Sequence, residues 1–402
     1  MAPSQTSLST DIIFMSPTLD DPRLGLARRL NTEVLASLKT AFVGKDEIVD
    51  LLGVCLAGGE NLFLLGPPGT AKSALVQQLA RRIEGRVFDY LLTRFTEPNE
   101  LFGPFDIRKL REGELVTNTE GMLPEASLVF LDELLNANSA ILNSLLMVLN
   151  ERVFRRGRET RRLPLLMVIG ASNRLPEDDA LAALFDRFLL RVRCDNVSQD
   201  KLSDVLAAGW KLDQAASEPT PAMSVEEIRQ VQSLIPQVGL AKISQPYVQL
   251  VHKLRLAGIP VSDRRAVKLQ RLVAASAVLC GRVEADSTDF WVLRYIWDVD
   301  EQREVIAAIV NQAVEASSEA EFSASHPRAR DSGGPDPEEL ARTLQLLGAK
   351  LADPAIAEGE RPILRDQLSL LSGRCQWVVD QQKREFLDGQ VASLWQQLGV
   401  QS

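Results

Sequence analysis

The residues of this 402-residue chain best suited to chemistry are a lysine and a serine in GPPGTAKS (66–73) and two carboxylates closing LVFLDE (128–133). Glycines and prolines so close together bend the backbone until successive amides point at one anion. Lys72 then supplies an ammonium for β- and γ-phosphates, and Ser73 a hydroxyl for Mg²⁺. The run fits GxxxxGK[ST] with one departure, Ala71 where the pattern has its second glycine. Gly69, two positions earlier, keeps close backbone approach open. Gly66, Pro68, Gly69, Thr70, Ala71, Lys72, Ser73 and Ala74 are therefore expected to wrap the phosphates, with Ala71 adding only a methyl group. Asp132 is placed to join Ser73 in the metal's shell, and Glu133 to orient and deprotonate an attacking water.

Three further groups belong to the same chemistry by position. Asn173 follows the apolar run of IGASNR and offers an amide to a γ-phosphate and a water; asparagine is also a common turn residue. Arg187 in LFDRF (184–188) either pairs with Asp186 on its own surface or reaches a neighbouring subunit's nucleotide. Arg264 and Arg265 open a helix after Ser262, where one guanidinium would meet the γ-phosphate; plain surface charge is the alternative.

These residues need rigid elements behind them. Short apolar runs bounded by turn residues, at 61–66, 87–93, 127–133, 164–173 and 188–194, read as strands covered on both faces, and helical patterns separate them. The expected fold is α/β, a parallel sheet with crossover helices. The phosphate stretch lies between a strand and the helix SALVQQLARRI, so a helix N-terminus faces the anion. After Cys194 the pattern turns helical, and Ser224 with Glu227 forms a capping box. The domain reading is an N-terminal extension over 1–30, the nucleotide-binding domain over 31–194, a helical lid over 195–300, and a C-terminal helical region over 301–402. That last region holds a Ser/Ala/Gly/Pro-rich linker at 315–339, with Trp377 and Trp395 as packing residues.

Composition narrows the alternatives. A net charge of −9 argues against wholesale nucleic-acid coating. Two histidines, His252 and His326, and four scattered cysteines give little material for a zinc site and fit a reducing cytoplasm. No apolar run reaches the roughly 18 residues of a membrane helix, and the N-terminus lacks a secretory pattern.

Taken in order, GPPGTAKS, LVFLDE, Asn173, LFDRF and SDRR resemble the AAA+ ATPases, and more narrowly the MoxR family. The stretches VGKDEIVDLL (43–52), LLTRFTEPNELFGPFDI (91–107), TEGMLPEASLVFLDE (119–133), AILNSLLMVLNERVFRRG (140–157) and SNRLPEDDALAALFDRFLLR (172–191) resemble its regulatory ATPase variant A (RavA-like) branch over residues 30 to 300. The resemblance implies a five-stranded P-loop AAA+ domain, an all-α lid and assembly as a hexameric ring. It implies Val43 and Gly44 beside the adenine, Asn173 as sensor 1, Arg187 as a finger acting in trans and Arg264 as sensor 2, with Arg265 the other candidate for that last role.

It further implies chaperone-like work beside a von Willebrand factor A domain protein. Lysine decarboxylase binding is not carried over, because 315–339 is too short and polar for the extra β-rich domain that recruits it. Two insertions are expected on one side of the ring, at 110–124 and 150–164. The second is a hairpin around Gly157 carrying Arg152, Arg155, Arg156, Arg158, Arg161 and Arg162. A solvated charged hairpin is its plain reading, and an acidic peptide or nucleic acid its sharper one. The function expected is Mg²⁺-dependent ATP hydrolysis coupled to remodelling of a protein partner. A nucleic-acid-stimulated motor and a nucleotide-gated scaffold are the rivals. GTP is disfavoured by the absence of an NKxD sequence.

Overall fold

The computed structural model describes residues 18–398 except 19, 114, 157–158, 177–178, 215–220, 331–336, 352–360, 376–377 and 379–380. Gly157, Arg158 and Trp377 thus lie outside the described residues.

Five strands form one parallel sheet: β1 (Leu62–Leu65), β2 (Val87–Leu91), β3 (Leu128–Asp132), β6 (Met167–Ser172) and β7 (Leu190–Arg193), in the order β2-β3-β6-β1-β7. The other two strands, β4 (Val153–Arg156) and β5 (Glu159–Arg162), make a separate antiparallel hairpin. All four residues of β1 and all six of β6 are buried, because helices cover both faces and no strand residue needs a polar partner in water. In register, Leu65 stands beside Ser172 of β6 and Arg193 of β7. Leu131 of β3 stands beside Gly170. The segments that follow β1, β3, β6 and β7 therefore leave the sheet along one carboxyl edge, where open α/β sheets collect their ligands.

The helical lid packs on this unit through a single continuous core. Its helices span Leu202–Gln214, Val225–Leu234, Ser244–Leu256 and Asp263–Leu279, followed by a 3₁₀ run Ser287–Tyr295. The capping box forms as expected: Ser224 N–H donates to Glu227 at 2.7 Å and Glu227 N–H to Ser224 Oγ at 3.2 Å.

Two expected boundaries differ. Helix Pro22–Arg29 precedes position 30, yet Leu24, Ala27 and Leu30 are buried in the core, so this part of the extension belongs to the folded unit. Past position 300, helix Gln302–Glu315 buries Ile306, Val310 and Val314, an apolar stripe at helical spacing, in the same core. Residues 316–330, expected within a flexible linker, are folded as well. The His326 ring stacks on Trp291 at 4.6 Å. Arg328 pairs with Asp50, which is also met by Lys39 and His326. Burial pushes the Asp50 carboxyl up, but its hydrogen bonds and ion pairs with these partners outweigh it and hold the group at about 2. The polar composition hid four anchoring side chains, Phe322, His326, Arg328 and Ala329.

Beyond this, helices Pro337–Leu351, Arg361–Cys375 and Gln381–Gln397 share a core of their own around Leu344, Leu368 and Leu387, with Trp395 packed against it.

Candidate functional site

Gly66 ends β1 where its N–H donates to Ser172 O at 2.9 Å. A Cβ there would lie 2.3 Å from Cys194 O, so close approach, not dihedral freedom, requires glycine. Gly69 takes φ +80°, and Ala71 itself sits in the left-handed region at φ +63°, ψ +23°. Ala71 therefore adopts a conformation natural to glycine, at a cost of roughly 1 kcal/mol, and the loop turns into helix Lys72–Arg82 as the motif demands. Lys72 is buried, its Nζ donating to Gly66 O at 3.0 Å and Pro67 O at 2.8 Å. Thr70 Oγ1 braces the turn on Pro67 O at 3.0 Å. Ser73 and Ala74 lie half-buried in the first turn of the helix.

Across the edge, half-buried Asp132 closes β3 and its Oδ1 accepts the Glu133 N–H at 3.0 Å. Glu133 is held left-handed at φ +49°, ψ +42°, strain of the kind that marks functional sites. Burial and the neighbouring Asp132 charge raise its carboxyl above the ordinary range, against Lys72, Arg174 and the Asn173 N–H, which favour the anion. Asn173 is exposed immediately after β6, between the two walls. A cleft of about 440 Å³ runs along this edge, lined by Gly66, Pro67, Pro68, Asn173, Arg174 and Arg193, among others.

Arg174 and Arg193 are cleft residues that the sequence reading passed over. The available signal was their place one residue after Asn173 and at the end of the last strand.

A hydroxyl and a carboxylate are hard oxygen donors suited to Mg²⁺. Among the described residues no cluster of three or more metal-ligating side chains exists, so Ser73 and Asp132 would hold an ion only together with phosphate and water. Val43 and Gly44 stand outside the cleft lining. Gly44 has φ +74°, and a Cβ there would meet Val197 Cγ1 at 2.9 Å, which ties this turn to the segment leaving β7.

The expected arginines divide sharply. Arg187 precedes β7 and lies at the opposite, amino edge, where its carbonyl accepts from Asn61 Nδ2 at 3.1 Å, just before β1. The four residues of β1 separate the two edges by about 13 Å. Arg187 pairs with Asp186 at 2.6 Å, while its Nε is buried with no partner. Arg264 is exposed and donates to Asn150 Oδ1 at 3.1 Å. Asn150 is next to last in helix Ser139–Glu151, whose C-cap Arg152 reaches Asn61 Oδ1 at 2.9 Å. Arg264 thus stands on the amino-edge side with Arg187.

Arg265, in contrast, is buried and pairs with Asp298 at 3.1 Å. Asp298 also takes fully buried Arg191 at 3.0 Å. Burial first, then the Arg265 charge, push Arg191 down to about 9. This triad joins β7 to the lid.

The two strands of the expected hairpin pair antiparallel, with Arg156 opposite Glu159. Its arginines are largely engaged within the chain. Arg152 caps a helix; Arg155 meets Glu151 at 3.0 Å. Arg156 bonds Asn99 and Gly103 O and lies 3.8 Å over the Phe105 ring. Arg161 donates to Thr119 at 2.9 Å. The last three contacts pin the hairpin to the segment carrying the first insertion.

Comparison with known proteins agrees with this architecture. Residues 28–233 match the family described as the MoxR domain in MoxR-vWA-beta-propeller ternary systems, and residues 243–310 match an AAA lid domain. An uncharacterized protein of Methanocaldococcus jannaschii is 35% identical over 267 residues, 66% of this chain and 70% of its own length. The chaperone MoxR1 of Mycobacterium tuberculosis is 26% identical over 188 residues, 45% of this chain and 49% of its own. A crystal structure from Cytophaga hutchinsonii shares the fold with a TM-score of 0.60 at 17% identity, covering 74% of this chain and 97% of that one. A five-stranded parallel sheet with a phosphate loop at its carboxyl edge, a helical lid and these matches place the chain in the MoxR family of AAA+ ATPases.

Proposed function

We propose that the protein hydrolyses ATP with Mg²⁺ and couples the reaction to remodelling of a protein partner. The observation that carries this reading is the split of the candidate groups between two edges. Gly66–Ala74, Asp132, Glu133 and Asn173 gather on one, and Arg187 and Arg264 on the other. In this scheme the loop amides and Lys72 hold the phosphates, Ser73 and Asp132 would hold a Mg²⁺ ion that would supply charge neutralisation, and Glu133 takes a proton from a water positioned by Asn173. Arg187 and Arg264 would complete the cleft of a neighbouring copy, which supports a ring, a hexamer by family resemblance. Arg264 is our choice for the second sensor because Asp298 already engages Arg265.

A von Willebrand factor A domain protein is the partner we propose, supported by the description of the matched family. The RavA-like branch remains our reading of the motif stretches, and the cytoplasm our reading of four free thiols. The nucleic-acid motor loses part of its support, since four of the hairpin arginines that motivated it, Arg152, Arg155, Arg156 and Arg161, serve internal contacts. Phosphate release from ATP, measured with Mg²⁺ and with chelator, tests the core of the reading. Turnover that requires Mg²⁺ and rises more than linearly with protein concentration is expected. Absence of turnover from a folded chain that binds ATP would favour the nucleotide-gated scaffold instead.

A further inference from the structure

We propose that Arg193 binds the phosphate tail of the nucleotide, and that Asp300, reaching it from the lid side, competes with the phosphates for the same guanidinium. The inference rests on the ATP-binding reading above and deepens it. Alternation along β7 puts Arg191 and Arg193 on one face of the strand. Each meets a carboxylate beyond the 3₁₀ run, Arg191 with Asp298 at 3.0 Å and Arg193 with Asp300 at 2.7 Å. The inner pair belongs to the fold, since Arg191 is fully buried. The outer pair opens into the cleft: Arg193 and Asp300 line it together with Gly66, Pro67 and Pro68, and their side chains are 34% and 40% exposed. Arg193 stands in register with Leu65, the residue before Gly66.

Three bonds hold the Arg193 guanidinium. Nε and Nη2 donate to Asp195 at 2.9 and 3.3 Å, a pair within one strand exit that aims the group, while Nη1 donates to Asp300. An ion pair open to solvent holds its partners weakly. A phosphate tail carries more charge than one carboxylate and accepts two N–H bonds from a single guanidinium. It therefore takes Nη1 from Asp300, while Asp195 keeps its own side of the fork. Asp300 is not stranded by the exchange, because Arg303 Nη1 lies 3.7 Å from its other oxygen. Phosphate binding thus breaks one bond between the last strand and the lid side at the cleft, and the buried Arg191–Asp298 bond beneath it holds.

Calorimetry with MgATP and MgADP on the wild-type chain, Asp300→Asn and Arg193→Gln tests the exchange, with melting temperatures measured in the absence of nucleotide. Asp300→Asn removes the competitor and is expected to tighten ATP binding about threefold, with a smaller gain for ADP and no rise in melting temperature. A purely structural pair would give the opposite sign, since its loss loosens the wall of the cleft. Arg193→Gln is expected to weaken ATP binding about tenfold; Asp300→Asn decides alone should that variant fail to fold. ATP binding that is unchanged or weaker in Asp300→Asn, or unchanged in a folded Arg193→Gln, overturns the proposal while the ATP reading stands. Failure of the wild-type chain to bind ATP at all overturns that reading itself.

Discussion

The two edges of the five-stranded sheet are built in opposite ways. Along the amino edge and the lid junction, charged groups are engaged inside the chain: Arg152 with Asn61, and Arg191 and Arg265 with Asp298. Along the carboxyl edge Ala71 and Glu133 take left-handed backbone, as Arg152 does at the amino edge where it caps a helix, but here Lys72 is held by two loop carbonyls and carboxylates stand beside each other. Strain and like charge persist in a fold only where the surroundings over-determine them. On the proposed reading, chemistry is assigned to the carboxyl end of the strands. Arg187 and Arg264 are the exceptions at the amino edge, one with its Nε unpartnered and the other exposed.

Four substitutions break or sharpen this contrast. The largest expected effect is from Arg187→Ala, which should reduce turnover about 10³-fold or more while leaving ATP affinity unchanged in a binding titration. Glu133→Gln keeps the shape of the loop and removes the base, so turnover should fall about 10²- to 10⁴-fold with nucleotide retained on gel filtration. Asp298→Ala leaves two buried guanidinium groups facing each other without their carboxylate, and unfolding in urea should show a loss of about 3 kcal/mol with little change in affinity for ATP. Ala71→Gly should have the smallest effect. Release of left-handed strain is offset by a freer unfolded chain, so stability should change by less than about 1 kcal/mol and phosphate binding should be kept. A large loss in that last variant would mean that the alanine methyl packs on something the loop needs.

Much of the carboxyl edge was legible in the sequence because its residues are local. Gly66 to Ser73, Asp132 with Glu133, and Asn173 each sit within a few residues of a strand end, so finding the strand finds the group. The strands were legible for the same reason, as continuous apolar runs without alternation. Long-range pairing was not legible. Nothing near Arg265 announces that Asp298 will neutralise it, or that Arg191 will share that carboxylate. The engagement of Arg156 and Arg161 was hidden for the same reason, since Asn99, Gly103 and Thr119 are distant in sequence. Residues 316–330 misled through composition: serine and alanine dominate, but a few anchors, His326 on Trp291 and Arg328 on Asp50, fix the segment.

The most direct test of the division between edges mixes two inactive chains. Lys72→Ala lacks a working cleft but keeps Arg187; Arg187→Ala keeps its cleft but lacks the finger. If each cleft is completed by the next chain, the mixture regains ATP turnover that neither variant shows alone. A mixture that co-assembles yet stays as inactive as its components would contradict the account.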